Sequence, residues 1–526
     1  MRITNKIMQR NNLTNINANK VYQDKLSTQM STHKKVNRPS DDPVVAIRAL
    51  RLRSSVTEVT QYYSKNIPDA ESWLNVTEDA LKNLSQIVTS MISQCTKGSN
   101  GDLTSADRQI ILEQLKALGE EVYSTGDADY AGRYVFTGYR TDTSLSFTEG
   151  KTIRYDITEQ IDSSAIESMT KVNMGDLLNI NSSNYAGMNV TKDDISAQDV
   201  YRIQLSYDDC YGGADAAPSI SFQKKDPVTG GYAWETWSGI KADPSDPDDP
   251  GDITLMHSSD KNPDPYTAAA NDENAVIYVP ETGELLLGSK RYEELMAAKD
   301  DGTTLANEGE IRVSYQKENW EKGDLRPEHY FACEADGITY NAEYLSGNAE
   351  RQDIEYDVGF NQTIRVNSTA DECFQHGIGR DVDDLVNSMQ EVLDIEGVIT
   401  NLKKLQETAT GADAEKLAVQ LEAAEKALTL SKDKCQKLFE QGISTFQGYL
   451  DDTNLCITNC GTRSSKLELI KNRMQNQKTT FETLKSENED IDITEIAIQL
   501  TSAELTYEAA LMASGKVMQT SLLNFI

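Results

Sequence analysis

Residues 70–96 read AESWLNVTEDALKNLSQIVTSMISQCT. Apolar side chains recur in this stretch at seven-residue spacing, with further ones three places on: Leu74, Leu81, Val88 and Cys95, then Leu84 and Met91. This spacing is typical of a long helix that packs along a seam against another helix. Because the apolar stripe would otherwise face water, the stretch predicts both a helix and a partner for it.

A second helix is predicted directly after the first. The segment 97–104 is polar and contains Gly98 and Gly101, which suit a turn. The apolar spacing then resumes with steps of four and three at Ile111, Leu115, Leu118 and Val122. Two antiparallel helices joined by a short turn follow from this pattern.

The carboxyl-terminal part of the chain carries two similar seams. The first runs through Leu417, Leu421, Ala424, Leu428, Ser431, Cys435 and Leu438, and the second through Leu467, Ile470, Met474, Gln477, Phe481 and Leu484. Both predict helices that need partners to cover their apolar stripes.

The last forty residues predict a helix that is apolar on more than one side. Its row of regularly spaced residues holds Ile496, Leu500, Ala503, Tyr507, Ala510, Ser514 and Val517, and apolar side chains outside that row include Leu505, Leu511, Met512, Met518, Leu522 and Leu523. A helix of this kind is expected to bind more than one partner. We therefore take Ile496, Leu500, Leu505, Tyr507, Leu511, Met518, Leu522 and Leu523 as its candidate binding residues.

The amino-terminal arm is basic, although the whole chain is acidic. Residues 1–53 hold eleven Lys or Arg against three Asp, whereas the 526-residue chain has a net charge of -33. Apolar residues at irregular helical intervals from Ile3 to Met30 predict a weak helix that gains order by packing. A nucleic-acid or lipid-binding tail is the alternative interpretation of such an arm.

A break and a restart are predicted in the sequence Arg38-Pro39-Ser40-Asp41-Asp42-Pro43. Pro39 is expected to end the arm helix, and Ser40 is expected to cap the next helix. Asp41 and Asp42 would then lie at the positive end of that helix, with Pro43 in its first turn.

The middle of the chain, residues 141–375, lacks heptads and predicts β structure. Short β-type runs lie at 152–157, 200–207, 275–279, 311–315 and 364–366, and Gly, Pro and Asp clusters separate them. The stretch 241–266 is rich in proline and aspartate and predicts a solvated loop. A calcium loop is the alternative there, but the ligand spacing of an EF-hand is missing.

Composition and motifs exclude several classes of protein. The net charge of -33 disfavours a general nucleic-acid binder. No apolar run approaches the ~18 residues of a membrane helix, and the amino terminus has no apolar signal core, so we expect neither membrane insertion nor a cleaved signal peptide. The motifs HExxH, GxSxG, the P-loop and GxGxxG after a strand are missing. We therefore expect no catalytic residues and no cofactor.

The seven cysteines do not form a framework spacing that predicts a disulfide scaffold. Cys456 and Cys460 lie four residues apart, and Cys373 with His376 forms a CxxH pair. A zinc site is the functional alternative, but without a second well-spaced pair we expect buried thiols and no metal.

Three blocks resemble the flagellin-like axial proteins of bacterial flagella and, within them, the hook-associated protein 3 family of hook–filament junction proteins. The first is the arm with 36–43 and Ala46-Ile47-Arg48-Ala49-Leu50, and the third is 487–492 with the terminal helix. The second separates this family best from filament flagellin and contains Gly132, Arg133, Phe136, Gly138, Thr141 and Asp142. Residues 160–350 match nothing in the family and suggest a large inserted domain.

The resemblance implies an α+β multidomain fold in which paired terminal helices form a helical core and a β-rich domain is inserted. The expected parts are an inner assembly arm, 1–40; rod-domain helices, 41–140 and 376–486; the variable outer domain, 141–375; and the terminal assembly helix, 487–526. The implied role is a structural adapter between hook-associated protein 1 and flagellin. It would form a homo-oligomeric ring and be exported unfolded by the flagellar type III apparatus with a cytoplasmic chaperone, reaching an extracellular location.

Three alternatives stay open at this point. A filament flagellin would polymerise alone, which distinguishes it from a junction protein. An enzyme in the middle domain would need a site, yet the chain has only four histidines. A coiled-coil scaffold or adhesin without a flagellar role would ignore flagellar partners.

Overall fold

The structure is a computed structural model. It describes residues 5–213, 216–225, 232–242, 250–260, 263–298, 311–345 and 352–519.

The chain divides into two compact units, each made of several segments. The terminal unit comprises Met1–Glu71, Tyr356–Ile364 and Ser464–Ile526. The central unit comprises Ser72–Glu355 and Arg365–Arg463. The five-part domain division expected from the sequence stays a prediction.

The terminal unit is built from long helices and one hairpin. Its amino-terminal helices are α1 (Asn5–Thr32), α2 (Pro43–Gln61) and the beginning of α3 (Ile67–Gly98), with a single π-helical turn at Tyr62–Asn66 between α2 and α3. A hairpin follows, formed by β14 (Glu355–Gly359) and β15 (Gln362–Arg365). The last elements are the carboxyl end of α9 (Ala412–Glu489) and the helix α10 (Ile493–Gln519).

The expected break between the first two helices is present, but two details of the prediction are wrong. Helix α1 ends at Thr32, before Pro39, and His33 adopts a left-handed φ of 58°. The cap of α2 is Asp42 and not Ser40, because an Oδ1 atom of Asp42 accepts from the amides of Val44 at 3.0 Å and Val45 at 3.1 Å. Pro43 occupies the first turn as predicted.

The predicted helix seams are confirmed in the central unit. Helix α3 runs antiparallel to α9, since Cys460 Sγ donates to the carbonyl of Leu74 at 3.4 Å while Gly442 lies beside Cys95. The seam residues Leu74, Leu81, Val88 and Cys95 are all fully buried. The carboxyl-terminal seams belong to one helix, because α9 continues for 78 residues through both.

A second helix pair completes the helical part of this unit. Helix α4 (Ser105–Gly126) packs against α8 (Gly377–Thr408), where Tyr123 Oη accepts from the amide of Gly379 at 2.8 Å. At the other end of the pair, Arg108 Nη1 donates to Glu396 Oε1 at 2.9 Å. The short helix α7 (Ala370–Cys373) precedes α8.

The β structure expected between 141 and 375 is confirmed, and it forms two main sheets. The strands of the six-stranded sheet, in spatial order, are β13 (Ile338–Tyr340), β12 (Ala332–Ala335), β3 (Lys151–Ile161), β11 (Ile311–Trp320), β6 (Ser219–Lys225) and β7 (Tyr232–Ser238). The strands of the five-stranded sheet are β4 (Ile166–Asn173), β5 (Ser196–Gln204), β10 (Glu284–Leu287), β9 (Val276–Val279) and β8 (Thr254–Leu255). A small hairpin joins β1 (Asp129–Tyr130) to β2 (Arg133–Tyr134).

The sequence did not predict two helices that lie beside these sheets. They are α5 (Pro265–Asn271), capped by Asp264, and α6 (Ser289–Ala298). Part of the predicted proline-rich loop, residues 243–249 and 261–262, lies outside the described residues. Within the remainder of that loop, β8 pairs in parallel with β9.

A buried charge cluster connects the five-stranded sheet to α8. Arg202 on β5 donates to Glu167 on β4 at 2.8 Å and to Glu284 on β10 at 2.8 Å. Its guanidinium also pairs with Asp384 on α8. Burial raises the pKa of Glu284, but the charge of Arg202 overcomes this effect and holds the pKa below its ordinary value.

Candidate assembly interface

Helices α1 and α10 pack against each other through a narrow face. Ile16 and Leu26 of α1 and Ala503 of α10 are buried. A hydrogen bond of 3.4 Å from Tyr22 Oη to Gln499 Oε1 links the same two helices. The pairing expected between the two ends of the chain is therefore present.

The face of α1 that packs against α10 contains few apolar side chains. Its buried and half-buried positions are Asn12, Ile16, Asn19, Gln23, Leu26, Gln29 and Met30. Four of these seven are amides, which contribute little to hydrophobic burial. Two helices held by so small an apolar face are weakly stabilised by each other alone.

A group of charges, which we call the terminal clamp, adds to this pairing. It consists of Lys34, Arg53, Glu489 and Asp490. Arg53 donates two hydrogen bonds to the carboxylate of Glu489, at 2.6 and 2.8 Å. Lys34 Nζ lies 2.5 Å from Asp490 Oδ1 and 3.4 Å from Glu489 Oε2. The clamp thus joins the basic arm to the turn between α9 and α10.

Backbone hydrogen bonds hold the same turn. The amide of Lys35 donates to the carbonyl of Glu489 at 2.7 Å, and the amide of Ile491 donates to the carbonyl of His33 at 3.3 Å. Asp492 then caps α10 by accepting from the amides of Thr494 and Glu495. The Asp492 cap therefore sets where α10 begins.

Replacing Glu489 by glutamine is expected to destabilise the terminal unit by about 1–3 kcal/mol, because a nearly buried carboxylate loses its charge-assisted bonds. The side chain of Glu489 is 4% exposed, and the hydrogen bond from Arg53 lowers its pKa. Since the folded pKa lies below the unfolded one, this stabilisation is present above the unfolded pKa and is lost as the pH falls through the folded pKa.

Amide exchange at Lys35 and Ile491 measures this effect. Both amides should exchange faster in Glu489→Gln at neutral pH, and the difference from the native chain should vanish in acid. The control is Glu487→Gln, which makes the same change of charge on an exposed side chain two residues away. Equal exchange in both variants would contradict the role of the clamp.

Helix α10 presents an apolar stripe to solvent. Ile498, Leu505 and Met512 lie seven residues apart, so they share one face, and they are 66%, 64% and 67% exposed. Ala497, Thr501, Ser502 and Ala509 line a shallow groove along the same helix together with Ile498 and Leu505. We call Ile498, Leu505 and Met512 the outer stripe. A stripe of this kind marks a surface for a partner helix.

The amino-terminal helices of the terminal unit also carry exposed apolar side chains. On α1 these are Ile7, Met8, Leu13, Val21 and Tyr22, and on α2 they are Val44, Ile47 and Leu50. Most lie outside the face that α1 turns toward α10. Leu469 and Leu484 are exposed on the carboxyl part of α9. Within the described residues, the terminal unit therefore exposes large apolar side chains on α1, α2, α9 and α10.

The candidate binding residues of the terminal helix divide between two faces. Ile496, Leu500 and Tyr507 are half-buried, whereas Leu505 and Leu511 are exposed. Met518 lies in the last turn of α10, and Leu522 and Leu523 lie outside the described residues. The structure does not gather these residues into one cluster.

The segment 38–43 forms the turn that leads into α2. The amide of Asp41 donates to the carbonyl of Arg38 at 2.9 Å, and the amide of Arg38 donates to Asp41 Oδ2 at 3.0 Å. Arg38, Pro39 and Ser40 are exposed. Together with the Asp42 cap, these bonds fix the start of α2.

The block 132–142 belongs to the central unit, whereas the segment 38–43 and the terminal helix belong to the terminal unit. Arg133 stacks over the ring of Trp73 at 4.9 Å, and buried Phe136 meets Phe374 edge to face at 4.7 Å. Gly132 and Gly138 have φ values of 77° and 60°, which suit glycine.

The remaining two residues of this block differ in exposure. The carbonyl of Thr141 accepts from the amide of Tyr134 at 2.9 Å, while Asp142 is exposed. The block thus shapes the connection between α4 and β3.

Sequence reasoning missed the residues that make the clamp. Lys34 lies in the arm and Glu489 in the block 487–492, each without a role assigned to it, and Arg53 belongs to none of the three blocks. Their pairing joins positions more than 400 residues apart in the chain. The excess of positive charge in residues 1–53 was the available signal, because it requires an acidic partner. It does not indicate which of the 84 acidic residues that partner is.

The described ranges hold neither a candidate metal site nor a membrane-spanning helix. No group of three or more His, Cys, Asp or Glu side chains there is arranged to hold a metal ion. None of the described helices is long and apolar enough to cross a membrane.

Comparison with known proteins gives a consistent set of relatives. The family model of the bacterial flagellin N-terminal helical region matches residues 3–141. Flagellar hook-associated protein 3 of Salmonella typhimurium is 28% identical over 145 residues, covering 27% of this chain and 45% of that protein. The Escherichia coli protein of the same name is 29% identical over 168 residues, covering 31% and 53%. The chain thus spans about half the length of the curated relatives it matches.

A solved flagellar hook-associated protein from Vibrio parahaemolyticus is 13% identical to this chain. The match covers 86% of this chain and 100% of the other, with a TM-score of 0.33.

Proposed function

We propose that this chain, a homologue of flagellar hook-associated protein 3, is a structural subunit of the bacterial flagellum that assembles at the junction between hook and filament. The relatives are structural proteins and not enzymes, and we assign no catalytic activity or cofactor to this chain. The observation that carries the proposal is the outer stripe of α10 on a terminal unit whose own helices leave it uncovered.

Assembly supplies the partner that the outer stripe lacks. Neighbouring copies of the chain would cover Ile498, Leu505 and Met512 and the exposed apolar side chains of α1 and α2 in the same step. Such contacts join different faces of identical subunits, an arrangement that closes a ring or builds a tube. We propose a homo-oligomeric ring with hook-associated protein 1 on one side and flagellin on the other.

Export and localisation follow from the same proposal. The chain would pass unfolded through the flagellar type III export apparatus, and a cytoplasmic chaperone would cover the apolar sides of α10 until then. The weak pairing of α1 with α10 supports this, because helices that order only on assembly are easily kept unfolded. The assembled protein would be extracellular.

Replacing Ile498 or Leu505 by asparagine tests the proposal. The affinity of each variant for the mixed assemblies should fall by about tenfold or more, because burying a side chain of this size contributes about 1.5–3 kcal/mol. Folding of the free chain should change by no more than about 0.5 kcal/mol, since both side chains are mostly exposed. The measurement is the fraction of the chain that sediments with hook-associated protein 1 and flagellin.

The matched control is Glu504→Asn, which places the same residue at an exposed position of α10 outside the outer stripe. This variant should be captured like the native chain. If Ile498→Asn and Leu505→Asn were also captured like the native chain, the outer stripe would not be the assembly surface.

A filament flagellin is the second candidate, and the match of residues 3–141 to the flagellin N-terminal helical region favours it. The two functions differ in self-assembly. A flagellin would form long filaments from the purified chain alone, whereas a junction subunit would need both partners.

A further inference from the structure

We propose that Cys373 and Cys456 form a site of covalent modification, at which the two thiols are oxidised to an intramolecular disulfide. Cys373 is the last residue of α7, on the segment that returns from the β-rich region, and Cys456 lies in the middle of α9. Both belong to the central unit. The proposal does not depend on the function proposed above.

The contacts of Cys456 bring it to the end of α7. Its Sγ atom donates to the carbonyl of Glu372, the neighbour of Cys373, at 3.1 Å. The thiol of Cys373 is hydrogen-bonded to the side chain of Cys456. Both residues are present as free thiols, like the other five cysteines. Two thiols in contact across two elements need little movement to form a disulfide.

Cys456 differs from the other cysteines in its pKa. The hydrogen bond to Cys456, together with burial, raises the pKa of Cys373 well above its ordinary value. Burial raises the pKa of Cys95, Cys210 and Cys333 to about 12 and that of Cys435 and Cys460 to about 11. The hydrogen bond from Cys373 instead lowers the pKa of Cys456, which favours its thiolate. Because the thiolate is the nucleophile, Cys456 is expected to react before the other thiols.

The reaction requires an oxidant, and a low-molecular-weight disulfide such as glutathione disulfide is sufficient. The Cys456 thiolate attacks one sulfur of the oxidant and releases a glutathione thiolate, which leaves a mixed disulfide on Cys456. The Cys373 thiol then loses its proton to solvent and attacks the Cys456 sulfur, releasing the second glutathione. Two protein thiols are oxidised and one glutathione disulfide is reduced to two glutathione molecules.

Accessibility sets the order of these steps. Cys456 is 7% exposed and Cys373 is 2% exposed, so the small opening to solvent lies at Cys456. The new bond would tie the exit of the β-rich region to α9. It would enclose the whole of α8, and closing so long a loop stabilises the folded chain against unfolding.

The test is peptide mapping of the full chain after equilibration with mixtures of reduced and oxidised glutathione. Trypsin yields Cys373 in the peptide 366–380 and yields Cys456 together with Cys460 in the peptide 438–463. The variant Cys460→Ser leaves only Cys456 in the second peptide. We expect the linked pair 366–380 with 438–463, lighter by two hydrogen atoms than the separate peptides, in the native chain and in Cys460→Ser.

Thermal unfolding gives an independent reading. The oxidised native chain and oxidised Cys460→Ser should unfold at a higher temperature than their reduced forms, and this upward shift should be lost in Cys456→Ser. If Cys456→Ser does not fold, the peptide mapping of the native chain and of Cys460→Ser decides alone. In the native chain, peptide fragments cleaved between Cys456 and Cys460 then show which of the two cysteines is linked to Cys373. Oxidation that links other cysteines, or that leaves Cys373 and Cys456 free, would overturn the proposal.

Discussion

A chain that ends after Asp492 is expected to fail to enter mixed assemblies with hook-associated protein 1 and flagellin. The truncation removes α10, and with it the partner of Ile16 and Leu26 and the whole outer stripe. It keeps Glu489 and Asp490, so the terminal clamp still joins the arm to the end of α9. Any loss of incorporation would therefore come from the missing α10 and its effect on α1, and not from a broken clamp.

Helix α1 should lose its order in the same truncated chain. A helix whose inner face is half amide has little stability without a partner, so its amides should exchange at nearly the rate of an unfolded segment. The central unit serves as the internal control, because its tryptophan fluorescence should be unchanged: all four tryptophans of the chain, Trp73, Trp234, Trp237 and Trp320, belong to that unit. A truncated chain captured as efficiently as the native one would contradict the assembly role of α10.

Replacing Arg202 by alanine is expected to destabilise the central unit by about 3–5 kcal/mol, which is the usual cost of removing one partner of a buried ion pair. The side chain of Arg202 is 4% exposed and that of Glu284 is 6% exposed. Without the guanidinium, Glu167, Glu284 and Asp384 would lose the cation that pairs directly with all three of them. Their repulsion adds to the cost of the desolvated charge.

Urea unfolding followed by tryptophan fluorescence measures this loss. Arg202→Lys should fall between the native chain and Arg202→Ala, because an ammonium group keeps the charge but cannot form the same set of hydrogen bonds. Lys192→Ala is the control, since it breaks an exposed pair with Glu422 and should cost no more than about 1 kcal/mol. Equal midpoints for Arg202→Ala and Lys192→Ala would mean that the buried cluster does not stabilise the unit.

The helical part of the fold could be predicted from the sequence because its signal is local and repeated. The seam from Leu74 to Cys95 and the turn at Gly98 predicted α3, its end and the start of α4 correctly. The two carboxyl-terminal seams predicted helix but not its continuity. A helix of 78 residues requires that nothing interrupts it near Gly461, and the spacing of apolar residues alone does not decide that.

Details that depend on competing local groups were predicted less well. Ser40, Asp41 and Asp42 are all residue types that cap helices, and the geometry of the turn selected Asp42. Pro39 is a strong helix breaker, yet α1 ends seven residues earlier, where the chain turns to pair Lys35 with Glu489. Tertiary hydrogen bonds overrode the local signal in this case.

Contacts between distant segments could not be predicted from one sequence. The strands were recognised from their composition, but the pairing of β3 with β11 or of β5 with β10 joins segments far apart in the chain. The Arg202 cluster and the terminal clamp have the same character. The outer stripe is a mixed case, because the heptad of Ile498, Leu505 and Met512 is visible in the sequence, whereas its exposure required the position of α1.

The central claim is that the exposed apolar faces of the terminal helices become buried only when the junction forms. Amide exchange of α1 and α10, measured in the free chain and in mixed assemblies with hook-associated protein 1 and flagellin, tests it most directly. The account predicts partial protection in the free chain, where the two helices hold only each other, and much stronger protection of both helices in the mixed assembly, with no long filaments from the chain alone. Equal protection in both states, or filaments formed without partners, would contradict it.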